Sequence, residues 1–398
     1  MAEDDPASPA RPAKAEAVAT RLIHTRGARL HPPTVNPPVE RGSTVLFPDR
    51  KRLYGPMPTY GRMGHTVHTE LRDALASLEQ ASHVSLTPNG VSACALAIAA
   101  LVRAGDHVLI SEGLYGPTRR FCERRLAATG VTAERIPANL GAAIADRMTP
   151  ETTLVVMETP SSLTFEIPDL PAMITAVKAH GAKIMVDNTW SAGLYLQPLT
   201  MGADISVQAL TKYAVGHADG FGGAVMTADR AVANQLTACA DDWGLALAPD
   251  EAYTALRGLR TLPTRLAAHQ ANGLALARWL ETRPDVHAVL HPALPSHPDH
   301  TLWQRDFTGA SGLFGLVLNE TAEPALDAFL GAMTRFGMGF SWGGYESLLI
   351  PCDEQLNRLD GHWSGTKPGP LLRIHAGLED PADLIADLER AFHALHHG

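Results

Sequence analysis

A two-domain α/β fold is predicted by three observations. Short apolar runs at His107–Ile110, Thr153–Met157, Lys183–Val186, Ile205–Val207 and Ala224–Met226 are separated by helix-length segments. These runs lack the strict alternation of a half-solvated strand, so they fit a mainly parallel sheet covered on both faces. From Leu256 to Leu280 the pattern turns helical over a longer stretch, broken at Pro263. At 398 residues the chain also exceeds what a single compact core accommodates. A large domain over residues 67–258 is therefore expected to precede a smaller α+β domain over 259–398, with residues 1–66 as an N-terminal arm.

Taken in order, Met1 to Lys14 is rich in Ala, Pro and Asp and lacks an apolar signal-peptide core, so it is expected to be a frayed arm. From Thr69 the pattern is helical, with Leu71, Leu75 and Leu78 on one face. The turn Pro88-Asn89-Gly90 then opens a small-residue helix over Val91–Val102, whose N-terminus is placed to face a ligand. After the five strands and the long helical stretch come a Pro/His-rich loop (His291–His300), a strand-like run (Gly312–Leu318) and a final helix (Pro381–His397).

Composition narrows the function. Apolar residues make up 45% and charged residues 19%, which suits an ordinary globular protein. The net charge of −9 carries no basic stripe, so nucleic acid is not an expected partner. No stretch is long and apolar enough for a transmembrane helix, and no membrane partner is expected. Cys94, Cys122, Cys239 and Cys352 are widely spaced and read as core thiols in a reducing, cytoplasmic setting. The eighteen histidines, including His393, His396 and His397, form no metal-ligand spacing, so no metal is expected. Nucleophile-elbow, Walker and dinucleotide fingerprints are absent, which disfavours a Rossmann dehydrogenase.

Two residues carry the chemical signal. Asp187 closes the run Ala182–Val186, and Lys212 follows the run Asp204–Thr211. Ligands of α/β sheets sit outside the carboxyl ends of strands, where Asp187 stands. A carboxylate there can hold a pyridinium N–H, and a lysine can form a Schiff base, which are the two needs of pyridoxal phosphate (PLP). Taken alone, Asp187 also fits a cap for the turn at Asn188-Thr189, and Lys212 a surface residue. The pair is stronger than either, because a lysine directly after an apolar run needs a reason. Gly90 and Val91 open a helix and can offer N–H groups to a phosphate. Tyr115 suits ring stacking or simple packing. Arg373, amid Leu371, Leu372 and Ile374, suits a bidentate substrate carboxylate or a structural ion pair.

The stretches Tyr60-Gly61-Arg62, Glu112–Tyr115, Val186–Trp190, Gln208–Tyr213 with Gly216-His217, Arg257–Leu262, Ser341–Ser347 and Leu372–His375 resemble the Cys/Met-metabolism PLP enzymes of fold type I. Within that family the resemblance is to the bacterial cystathionine β-lyases, and it runs from about Arg21 to the C-terminus. It implies an aspartate-aminotransferase-like fold with a mainly parallel seven-stranded sheet. It also implies PLP held covalently on Lys212, with Asp187 at the ring nitrogen and Tyr115 stacked on the ring. Phosphate would be held by Gly90, Val91 and Thr211, and by Tyr60 and Arg62 from the neighbouring subunit. Arg373, Ser341 and Trp342 would bind the substrate. Sites shared across subunits imply a homotetramer built as a dimer of dimers, with the arm as an inter-subunit segment.

Departures from family patterns bear on subtype. Ser162 stands where many relatives carry Asn, as β-lyases often do, and Ala209 stands where many carry Ser. Phe340 replaces the Glu usual in cystathionine γ-lyases, and Pro117 the Cys of methionine γ-lyases. These departures point away from γ-elimination, and the resemblance implies β-elimination of a sulfur amino acid such as L-cystathionine, giving homocysteine, pyruvate and ammonia, with Lys212 as the base and Tyr115 and Tyr60 beside the reacting centre. The rivals are a cysteine or cystine desulfhydrase, a γ-lyase, a γ-synthase or a homoserine sulfhydrylase, all sharing Lys212 and Asp187. A non-catalytic PLP-binding regulator is a rival of another class.

Overall fold

The expected apolar runs pair into one sheet of seven strands in a computed structural model that describes residues 16–25, 34–55, 58–356 and 369–397. In chain order the strands are β1 (His83–Thr87), β2 (His107–Ser111), β3 (Thr132–Ile136), β4 (Thr152–Glu158), β5 (Lys183–Asp187), β6 (Ile205–Gln208) and β7 (Gly223–Thr227). They lie side by side as β1-β7-β6-β5-β4-β2-β3. Strands β3, β2, β4, β5 and β6 are mutually parallel, whereas β7 is antiparallel to both β6 and β1. Strands β2, β6 and β7 are buried along their whole length, as near-continuous apolar runs between two helix layers require.

Strands β1 and β3 were not among the expected elements. β3 is a sheet edge, and its Ala133-Glu134-Arg135 centre is only half-buried, so it carries no apolar run. β1 mixes Ser85 and Thr87 with Val84 and Leu86, although all four are buried.

A second, antiparallel sheet is ordered β10-β11-β9-β8, from β8 (Val286–Leu290), β9 (Leu313–Leu318), β10 (Leu348–Pro351) and β11 (Leu371–His375). It packs with the helices Leu262–Leu280 and Pro381–His397 around its own core, which includes Leu276, Phe314, Phe329, Leu372 and Phe392. Pro263 lies in the first turn of the helix Leu262–Leu280, where its missing N–H costs nothing, and so divides that helix from Pro249–Leu259. The helix Pro249–Leu259 packs on Thr66–Glu79 of the large sheet's layer, and Leu262–Leu280 on Pro381–His397.

The reading of Met1 to Lys14 as an arm lies outside the described residues. Val18–His24, just after it, is a helix whose Leu22 is buried in the large domain's core. The histidines near the C-terminus end a helix, and His396 Nε2 meets Asp285 Oδ1 at 2.7 Å. Cys94, Cys122 and Cys352 are buried thiols and Cys239 is half-buried.

Candidate active site

The parallel strands bring chemistry to one edge. Glu158 and Asp187 are the last residues of β4 and β5 and are paired in register, so two carboxylates stand side by side at the carboxyl end of the sheet. The turn-closing reading of Asp187 is seen on one oxygen, and the other oxygen faces a weaker donor. Its Oδ1 accepts the Thr189 N–H (3.1 Å) and hydroxyl (2.5 Å), closing the turn that follows β5. Its Oδ2 receives only the weak thiol donor of Cys94, at 3.6 Å. Burial pushes the Asp187 carboxyl above its ordinary range, and the Thr189 contacts oppose that. A buried carboxylate with one oxygen so poorly satisfied is matched by a cationic N–H donor.

Lys212 lies one turn beyond β6, its N–H donating to the Ala209 carbonyl. Its Nζ donates to Ser341 Oγ at 2.7 Å and lies 5.2 Å from the centre of the Trp342 ring. Burial, reinforced by the nearby Arg373 charge and opposed by Asp187, brings its pKa down to about 8. The amine is thus far more available as a neutral nucleophile or base than a solvated lysine.

The helix Gly90–Ala99 begins beside Ala209, three residues before this lysine. Asn89 caps it, accepting the Ser92 N–H at 2.9 Å, so Gly90 and Val91 are its first residues. Gly90 is required by close approach: a Cβ there would stand 2.5 Å from the Ala209 Cβ. The Thr211 hydroxyl meets the Gly222 backbone, at 3.2 Å from its nitrogen and 3.3 Å from its oxygen.

Tyr115 caps the short helix Gly116–Arg120 and is half-exposed. Its N–H donates to Glu158 Oε2. The Ser162 N–H donates to the Gly113 carbonyl at 2.7 Å, so the loops after β2 and β4 clasp each other.

The small sheet contributes the remaining group. Arg373 stands mid-strand on β11, and burial lowers its pKa below the ordinary guanidinium value. Among the described residues it meets no carboxylate, and its Nη2 donates to the Ser341 carbonyl at 3.2 Å. No described residue supports the structural ion-pair reading, and a buried guanidinium in this setting suits a carboxylate from outside the chain. Ser341 holds both cations, Lys212 through its hydroxyl and Arg373 through its carbonyl, and does so with φ at +88°. A non-glycine residue there is strained, which marks functional sites. Gly343 follows at φ +90°, and a Cβ on it would lie 2.9 Å from the Lys212 carbonyl carbon. His375 Nε2 lies 3.2 Å from the Gly343 nitrogen and 3.0 Å from the Gly344 oxygen, pinning this loop to β11.

Tyr60 and Arg62 do not join these residues within the chain. Tyr60 bridges Thr44, and Arg62 meets Asp241 at 3.5 Å. Three neighbours escaped sequence reading. Thr189 and Cys94 both touch Asp187, and Glu158 holds Tyr115. The signals were an Asp-x-Thr turn and the four-residue spacing of Cys94 from Gly90, which sets both on one helix face.

A model of Cys/Met metabolism PLP-dependent enzymes matches residues 19–393. The chain belongs to this family. It is 40% identical to a cystathionine β-lyase of Salmonella typhimurium over 94% of this chain and 97% of that one. It is 39% identical to a cystathionine β-lyase of Bordetella avium, covering 95% and 98%. The fold superposes with a TM-score of 0.90 on a cystathionine γ-synthase of Xanthomonas oryzae solved in complex with cystathionine, 30% identical over 96% of this chain and 100% of that one. The architecture is thus that of fold type I, and PLP is the cofactor of the family. The observed site fits that group: Asp187 Oδ2 lacks a strong donor, the Gly90 helix start is open to an anion, and the Lys212 amine is poised for a carbonyl.

Proposed function

We propose that the chain is a carbon–sulfur β-lyase that cleaves L-cystathionine to homocysteine, pyruvate and ammonia, with PLP held on Lys212. The observation that carries this reading is that Ser341 binds both Lys212 and Arg373, with the Trp342 ring beside the amine and a buried Asp187 acting on its charge. When bound, PLP supplies an electron sink for the charge left as the substrate Cα loses its proton. Asp187 would hold the proton on the ring nitrogen, with Tyr115 beside the ring. Gly90, Val91 and Thr211 would hold the phosphate, joined by Tyr60 and Arg62 of a second copy. Arg373 clamps the substrate α-carboxylate, with Ser341, Trp342 and Ser162 around it.

The neutral Lys212 Nζ would take the substrate Cα proton, with Ser341 Oγ keeping that nitrogen in place. The Cβ–S bond then breaks, the electron pair leaves with sulfur, and the proton on Lys212 is at hand for the departing thiolate. Hydrolysis of the three-carbon fragment gives pyruvate and ammonia. Phe340 is 78% exposed and offers no charge to a distal ammonium, which favours β- over γ-elimination.

The same reading includes a homotetramer with shared sites, since Tyr60 and Arg62 have no role within one chain's site. The boundary proposed at 258/259 falls at the end of the helix Pro249–Leu259, which packs on Thr66–Glu79, just before the helix Leu262–Leu280, which reaches from the large domain's core to Pro381–His397. The four free thiols support a reducing, cytoplasmic setting. Incubation of PLP-loaded protein with L-cystathionine tests the activity. Pyruvate with homocysteine is expected, whereas 2-oxobutyrate with cysteine would make it a γ-lyase.

A further inference from the structure

Beneath the site lies a second acid that the reaction does not use. Glu79 ends the helix Thr66–Glu79 and is fully buried. Its Oε1 accepts the side-chain N–H groups of Asn188 (3.0 Å) and Gln208 (2.6 Å). Asn188 directly follows Asp187, and its own N–H donates to the Val207 carbonyl at 2.8 Å. Gln208 ends β6, four residues before Lys212. One carboxyl therefore ties the carboxyl end of β5 to that of β6, the two strands that present the ring-nitrogen partner and the Schiff-base lysine. The tie continues above it, where the Ala209 N–H donates to Thr189 Oγ1 at 2.9 Å and Thr189 in turn holds Asp187.

Two atoms of this cluster, Glu79 Oε2 and Ser206 Oγ, are buried with no other hydrogen-bond partner among the described residues, and the Ser206 hydroxyl acts on the Glu79 titration. We propose that Glu79 is a positioning residue for the cofactor site and works as an uncharged carboxylic acid, sharing its Oε2 proton with Ser206 Oγ. The surroundings require this. The groups facing Glu79 are the two amides, the Ser206 hydroxyl and the Gly193 backbone, and no cation shifts its titration. An ionised carboxylate there would be an uncompensated buried charge, which proteins avoid by keeping the proton. Asp187, which must stay anionic, directly precedes the Asn188 that Glu79 holds. A neutral Glu79 ties its segment without adding a second negative charge. Burial, opposed by the hydrogen bonds from Gln208, Asn188 and Ser206, raises the Glu79 pKa to about 7, so the uncharged acid predominates below that pH.

This inference rests on the assignment of Lys212 and Asp187, but infrared spectroscopy tests its first half without cofactor or substrate. Cofactor-free wild type at pH 6 should show a protonated-carboxyl stretch that Glu79→Gln removes. Glu79→Gln, which keeps the acceptor and the neutral charge, should bind PLP within about threefold of wild type, whereas Glu79→Ala should weaken it by about tenfold or more. In Glu79→Ala the pH midpoint of the bound cofactor's visible absorption should also shift and kcat should fall more than KM changes, neither of which a general loss of stability produces. Should Glu79→Ala fail to fold, Gln208→Ala removes one tie and should show the same pattern at smaller size. Absence of the infrared band, or a Glu79→Gln protein as weak as the alanine variant, would overturn the uncharged acid. Unaltered PLP affinity and absorption in Glu79→Ala or Gln208→Ala would overturn the positioning role. Failure to cleave cystathionine would leave these readings intact and count only against the β-lyase assignment.

Discussion

The two sheets contribute to one site by different means. The large sheet places Asp187 and the segment leading to Lys212 through parallel register, so these groups inherit their positions from backbone hydrogen bonds and a packed core. The small sheet supplies Arg373 from mid-strand and reaches Lys212 only through the loop that begins at Ser341. That loop is held by strained backbone, a glycine against Lys212 and a buried imidazole. His375 is kept neutral, its pKa pushed down to about 3 by burial. On the proposed assignment, cofactor chemistry would belong to the large sheet and substrate capture to β11 and the loop beside it, and the two should be separable by substitution.

The largest effect should come from the large sheet. Lys212→Ala should lower turnover by about 10⁴-fold or more and remove the protein-bound visible absorption band, as read by pyruvate release and spectrophotometry. Retention of either at the wild-type level would break the assignment. The lysine's pH behaviour sharpens it. With a pKa of about 8 in place of 10.5, the neutral amine at pH 7 is a few hundredfold more abundant than on a solvated lysine. PLP capture by the cofactor-free protein, followed by stopped flow, should rise steeply up to about pH 8 and then level off. A rate still climbing at pH 10 would show that burial does not act on this amine.

An intermediate effect is expected from the small sheet. Arg373→Lys keeps a charge but loses the forked donor pair, which corresponds to about 10- to 100-fold in kcat/KM. The change should appear mainly in KM for cystathionine, with PLP affinity and absorption unaltered. Loss of cofactor on this substitution would show that the sheets are not separable as described.

How legible these parts were in the sequence follows the same division. The parallel strands, the role of Asp187 and the position of Lys212 are local patterns, an apolar run ending in a charged residue. β1 and β3 were missed because their residues are mixed or half-buried, and burial of Ser85 and Thr87 is decided by neighbours distant in the chain. Arg373 was ambiguous for a comparable reason. Whether an arginine amid leucines is paired depends on what lies across the fold, and only the three-dimensional arrangement shows no carboxylate beside it among the described residues. Ser341 was named through resemblance alone, since nothing in a Ser-Trp-Gly-Gly string reveals a positive φ on the serine. Glu79 and Cys94 read as ordinary helix residues until the ends of β5 and β6 are placed beside them.

The smallest predicted effect isolates the strain. At Ser341 the backbone sits at φ +88°, a cost of about 1 to 3 kcal/mol for a residue with a Cβ. Ser341→Ala removes the hydroxyl and keeps that strain, while Ser341→Gly removes both. If the loop is strained as described, the glycine variant should be more stable than the alanine variant by about 1 kcal/mol in urea unfolding of the cofactor-free protein, after the added freedom of the unfolded chain is subtracted. Both variants should lose activity to a similar degree, because both leave Lys212 Nζ without its 2.7 Å partner. Equal stability of the two would mean that this backbone is relaxed, and that the loop's hold on Lys212 comes from Gly343 and His375 instead.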